Sequence, residues 1–186
     1  MPDAIRRRPP LEDGLETGSP RVRLTDPGPA ARFVLRGDAS VAARTGLALG
    51  FTLPREACRA AVQAELAALR LGPDEWLIMA PEAKGRGLAE RVREALGDMP
   101  HALVDSGHGS AGLVIDGPAA AELLNAGCPL DLRDAAFPVG MCTRTLLGKA
   151  EIVLWRTAPE TFRLEAGRSF MAYIRVFLLE AVRGLS

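Results

Sequence analysis

The sequence predicts an α+β fold, with mixed or antiparallel sheets carrying helices on one face. Three observations point there. Gly85–Leu96 and Ser169–Val182 place apolar residues at helical spacing. Several short apolar or alternating runs, bounded by Gly, Pro and Asp, read as strands. From about residue 100 the elements run as two strands and a helix, then three strands and a helix. That order packs helices onto one side of a sheet.

Residues 1–20 are rich in Pro, Gly and charge and poor in apolar side chains. Such a stretch buries too little surface to offset its ordering entropy, so a flexible arm is expected, extended along a partner when ordered. Residues 21–186 then form one domain. A hint of two similar halves, 21–100 and 101–186, lies in a repeated string of strand, Gly-Asp or Asp-Gly, and short helix at Arg36-Gly37-Asp38 and Ile115-Asp116-Gly117.

Arg32–Arg36 is a short strand closed by Gly37-Asp38, and Asp38 is placed to cap a helix over 39–45 that Gly46 ends. The next stretch is rich in Ala, Glu and Leu, and propensity predicts a helix over 55–63. A strand over 65–71 follows, and a hairpin about Gly72-Pro73-Asp74 into the strand Glu75–Ala80 is an equally good account. Strands are expected over 101–105 and 110–115, then a helix over 119–126 with Pro118 where its missing N–H costs nothing. Paired strands over 143–147 and 151–155 flank Gly148-Lys149, and Thr161–Glu165 alternates. In the closing helix Phe170, Ile174, Phe177, Leu178 and Ala181 share one face.

The 186 residues carry 23 basic and 23 acidic side chains, with a pI near 6.7. Balanced charge argues against a nucleic-acid partner, which needs a basic surface to displace counterions. It also argues against a polybasic membrane surface. No apolar run reaches the roughly 20 residues of a membrane span. After Arg6-Arg7-Arg8 come Pro9, Pro10, Glu12 and Asp13 where a signal peptide would be apolar, so a cytoplasmic protein is expected. Cys58, Cys128 and Cys142 show no CxxC spacing, and the only histidines are His101 and His108. Buried or half-buried free thiols are expected rather than a zinc site.

Candidate chemical motifs each have a structural account beside the functional one. Asp105, Ser106 and His108 are triad residue types, but within four positions they do not converge easily. Gly107-His108-Gly109-Ser110 precedes a strand rather than a helix and lacks the Lys-Ser/Thr of a phosphate cradle. A glycine bend is the simpler account. In Gly72-Pro-Asp-Glu-Trp76, Asp74 and Glu75 suit general acid and base. The stronger account has them solvated at a turn that Pro73 fixes while Trp76 anchors the core, and a third makes Trp76 an exposed interface anchor. Arg144, Lys149, Arg156, Arg163 and Arg168 could bind an anion or simply decorate sheet edges. Gly85-Arg-Gly87 lacks the context of a dinucleotide fingerprint. No catalytic, cofactor-binding or metal residue is assigned on these grounds.

Several strings together carry a resemblance. They are Leu71-Gly-Pro-Asp-Glu-Trp-Leu-Ile78, Val104-Asp-Ser-Gly-His108, Gly117-Pro-Ala119, Leu123-Leu-Asn-Ala-Gly-Cys-Pro-Leu-Asp-Leu132, Phe137-Pro-Val-Gly140 and Arg168-Ser-Phe170. Over about residues 21–183 the chain resembles the gamma subunit family of heterotetrameric sarcosine oxidase. It departs from the family pattern at Asp105-Ser106-Gly107-His108. The resemblance implies ferredoxin-like units similar to the folate-binding domain of the glycine cleavage T-protein, and more strand in 54–71 than propensity suggests. It implies a noncatalytic subunit packed chiefly on an alpha subunit, with beta and delta subunits as further partners. Such assemblies demethylate sarcosine oxidatively to glycine and formaldehyde, with tetrahydrofolate capturing the one-carbon unit. FAD, FMN and NAD belong to the larger subunits and zinc to delta; none is expected in this chain. The same subunit type resembles those of N-methylglutamate dehydrogenase, and a stand-alone folate-binding or aminomethyltransferase-like protein is the other class.

Overall fold

A computed structural model describes residues 19–185. The arm expected over 1–20 therefore lies outside the described residues, save for Ser19 and Pro20.

The strands are β1 (Arg23–Thr25), β2 (Ala30–Arg36), β3 (Ala60–Gln63), β4 (Leu66–Arg70), β5 (Glu75–Pro81), β6 (Ala102–Asp105), β7 (Ser110–Asp116), β8 (Cys142–Leu147), β9 (Ala150–Ala158) and β10 (Thr161–Gly167). The helices are α1 (Ala39–Leu49), α2 (Gly85–Leu96), α3 (Ala120–Asn125) and α4 (Met171–Val182). Two five-stranded sheets result, ordered β3-β4-β5-β2-β6 and β1-β7-β10-β9-β8. Every strand pair is antiparallel.

Side-chain alternation sets the layers. In the first sheet Phe33, Leu35, Trp76 and Ile78 face α1 and α2, meeting Val41, Leu88 and Val92. In the second, Leu113, Ile115, Ile152 and Leu154 face α3 and α4, meeting Leu123, Leu124, Ile174 and Leu178. The opposite faces meet each other through Leu69, Leu77 and Met79 of the first sheet and Cys142, Val153 and Trp155 of the second. The result is helices, sheet, sheet, helices. This explains why Glu75–Ala80 reads as an unbroken apolar run after its first residue: β5 is buried on both faces. Each fully buried Leu or Ile there contributes roughly 1.5–3 kcal/mol.

The helix expected over 55–63 is absent. Its second half is β3, which pairs with β4 from Ala60↔Leu69 to Gln63↔Leu66. Ala64 adopts φ 52° in the tight turn between them. Alanine-rich propensity is a weak preference, and β4 overrides it by burying Ala67 and Leu69 against the second sheet and Ala68 against the helices. The strand expected over 65–71 and the hairpin at 72–74 are both present, as β4 and its antiparallel pairing with β5.

Asp38 caps α1, its carboxylate accepting from the Ser40 and Val41 N–H groups. Those bonds hold its carboxyl below the ordinary value, the Ser40 hydroxyl contributing most. Gly46 does not end α1, which continues to Leu49 and closes at Gly50 with φ 77°. Gly46 serves a close approach instead: a Cβ there would lie 2.7 Å from the Phe51 carbonyl oxygen. Phe170 also departs from expectation. It lies in the 3-10 turn before α4 and is 44% exposed, while Met171, Ile174, Leu178 and Val182 form the buried stripe.

Two short strands cross over. β1, from the N-terminal side, pairs with β7 in the second sheet, and β6 pairs with β2 in the first. The sheets also touch at one corner, where Arg59 and Met141 form an isolated antiparallel bridge.

Candidate functional site

The Gly72–Trp76 string is structural. The Trp76 ring is buried, and its Nε1–H donates to the Pro54 carbonyl at 3.0 Å. That removes the reading of Trp76 as an exposed interface anchor. Glu75 is not solvated at a turn tip; it is 5% exposed, with one carboxylate oxygen held by Arg36 and the other by Arg144. Arg36 belongs to the first sheet and Arg144 to the second, so Glu75 ties the two together. Only Asp74 remains at the surface, 3.7 Å from Arg36.

The Asp105–His108 segment is a tight turn between β6 and β7. Asp105 accepts from the Gly107 N–H at 2.8 Å, and the Ser106 hydroxyl donates to the Arg32 carbonyl at 3.3 Å. The His108 ring is exposed. Asp105 and His108 instead border a small cleft of about 290 Å³ with Glu82, Arg86, Glu90 and Arg93.

The basic residues around β8–β10 do not converge on an anion site. Arg156 is buried, donates to the Phe137 carbonyl at 2.9 Å and lies 5.1 Å over the Phe162 ring. It thereby fastens the 132–137 loop. Arg144 pairs with Glu75 and Glu151, and Arg163 with Glu165 at 2.7 Å. The Lys149 N–H donates to the Tyr173 hydroxyl.

The three cysteines are free. Burial pushes the Cys142 thiol up to about 12, and the neighbouring Cys58 adds to the shift. Such a thiol stays protonated and is a poor nucleophile. Among the described residues no cluster of three or more His, Cys, Asp or Glu is arranged to hold a metal ion. Nor is any helix among them long and apolar enough to cross a membrane.

Two features have no clear signal in the sequence. One is the buried pair Arg32–Glu165, at 2.5 Å between the sheets. The other is a cleft of about 870 Å³ along α1 and the segment that follows it. Small residues of α1 and Phe51 line it, with Leu47 and Arg55 at its mouth and Arg70 over Trp76. Its lining holds no carboxylate, imidazole or thiol. The one hint of it in the sequence is Ala39, Ala43 and Leu47 recurring every four residues on one helix.

Comparison with known proteins adds the relationship. Residues 36–183 match the model of the sarcosine oxidase, gamma subunit family. Sarcosine oxidase subunit gamma from Arthrobacter sp. is 37% identical over 147 residues, which is 78% of this chain and 70% of that protein. Its counterpart from Corynebacterium sp. (strain P-1) is 36% identical over 136 residues, 73% of this chain and 66% of that protein. The chain thus matches about two thirds of the length of these relatives. A chain of heterotetrameric sarcosine oxidase from Corynebacterium sp. U-96, solved in complex with pyrrole 2-carboxylate, superposes with a TM-score of 0.87 at 29% identity, covering 96% of this chain and 95% of that one. Glycine cleavage system aminomethyltransferase T from Bartonella henselae gives 0.60 at 14% identity, over 89% of this chain and 47% of that one. The second likeness is one of fold.

Proposed function

The chain belongs to the sarcosine oxidase gamma subunit family, and from that premise we propose that it is the noncatalytic gamma-type subunit of a cytoplasmic heterotetramer. The complex demethylates sarcosine, or a related N-methyl amino acid, to glycine and formaldehyde or methylene-tetrahydrofolate. Its companions are alpha, beta and delta subunits, and FAD, FMN, NAD and zinc reside in them. The observation that carries the reading is the superposition on a heterotetrameric sarcosine oxidase chain over nearly the whole length of both. The spent motifs agree with it. Of the acids singled out in the sequence, Glu75 is engaged in an inter-sheet ion pair and Asp105 accepts from a turn N–H.

The test is reconstitution. The chain co-expressed with companion flavoprotein subunits is expected to co-purify in fixed ratio and to turn over sarcosine or another N-methyl amino acid from a panel. The chain alone is expected to be inert, with a melting temperature that tetrahydrofolate does not raise. Sarcosine oxidation by the isolated chain, or stoichiometric flavin on it, would overturn the reading.

A further inference from the structure

We propose that the cleft along α1 seats an acidic, apolar segment of a companion subunit, with a large apolar side chain against Leu47 and Phe51 and a carboxylate on Arg55. This rests on the subunit reading above and says where one contact is made.

Shape comes first. Leu47 is 81% exposed at the cleft mouth, whereas Val41 and Leu49 of the same helix are buried. The remaining helix lining is Ala39, Ala42, Ala43 and Gly46, which lets a second backbone come close. A polypeptide segment seated in the cleft covers Leu47. Anchors of this kind, a large apolar side chain entering a pocket with aromatic and arginine lining, dominate binding energy at interfaces.

Charge then selects the occupant. The Arg70 guanidinium donates to the carbonyls of Arg55, Gly72 and Pro73, and lies 5.1 Å from the centre of the Trp76 ring. It is fixed in place, and no carboxylate among the described residues pairs with it. Arg55 is exposed and forms no ion pair among the described residues. Two cations with no anion in the lining form a positive concavity, complementary to an acidic segment. Phe170, Tyr173 and Val176, on and before α4, form a separate exposed apolar stripe.

The experiment uses the reconstituted complex and three full-length variants, Leu47→Gln, Arg55→Glu and Val176→Gln. All three sites are exposed, so each variant is expected to melt like the parent. Leu47→Gln and Arg55→Glu are each expected to raise the dissociation constant of the chain from its companions by at least about tenfold. Val176→Gln is expected to leave it unchanged. Failure of the parent chain to assemble at all would defeat the subunit reading. Assembly of the parent together with unimpaired Leu47→Gln and Arg55→Glu would defeat the present inference alone. So would tetrahydrofolate protection of the parent chain that Arg55→Glu abolishes while assembly stays normal.

Discussion

Arg32 and Glu165 show what a buried ion pair does when it joins two sheets. Their side chains are 3% and 5% exposed, and Arg163 adds a second contact to the same carboxylate. Gly112 makes room for it: a Cβ there would stand 2.8 Å from a Glu165 oxygen. Removing one partner leaves a nearly buried charge without its counter-ion. Glu165→Gln should therefore cost about 3–5 kcal/mol in urea unfolding. Replacing both, as Arg32→Met with Glu165→Leu, should recover most of that loss, because desolvation of the pair disappears together with its attraction. A double variant no more stable than Glu165→Gln would show that the pair's geometry, not its charge balance, holds the sheets. Nothing in the sequence connects positions 133 residues apart, so this pair was invisible there. The same is true of Glu75, whose burial depends on Arg144 arriving from the other sheet.

At the scale of elements, glycines inside helices separate two uses of the same residue. Gly87 sits on the exposed face of α2, where an added Cβ would meet nothing within 4 Å, whereas at Gly46 of α1 it would stand 2.7 Å from the Phe51 carbonyl oxygen. Gly87→Ala should stabilise by about 0.5–1 kcal/mol through reduced chain entropy. Gly46→Ala should destabilise despite the same gain in propensity, and thermal unfolding of the two variants compares them directly. Equal stabilisation by both would mean that the α1 turn relaxes freely around the added methyl group. The strongly patterned elements were legible: α2, β5, β7 and the β8–β9 pair follow the apolar spacing. What failed were places where a contact from outside the segment decides. Residues 55–63 look helical by composition, yet β4 recruits Ala60–Gln63 as a strand. The cleft was illegible because its lining comes from α1, the segment after it, Arg70 and Trp76 together.

At the scale of the molecule, the crossing of β1 and β6 makes each sheet depend on chain from the other side of residue 100. Unfolding should accordingly be a single cooperative event. The two tryptophans report on it separately. Trp76 faces α1 and α2, while Trp155 lies between the sheets. Trp155→Phe leaves Trp76 as the sole tryptophan, and Trp76→Phe leaves Trp155. Within each variant, fluorescence and far-ultraviolet circular dichroism should give coincident urea midpoints. A Trp76 signal that moves well before the backbone signal would reveal a first sheet that melts independently.

The crossing also bears on birth at the ribosome. Arg23–Thr25 emerges early but has no strand to join until Ser110–Asp116 has been translated. Until then its edge groups stay open to solvent, to chaperones or to a neighbouring nascent chain.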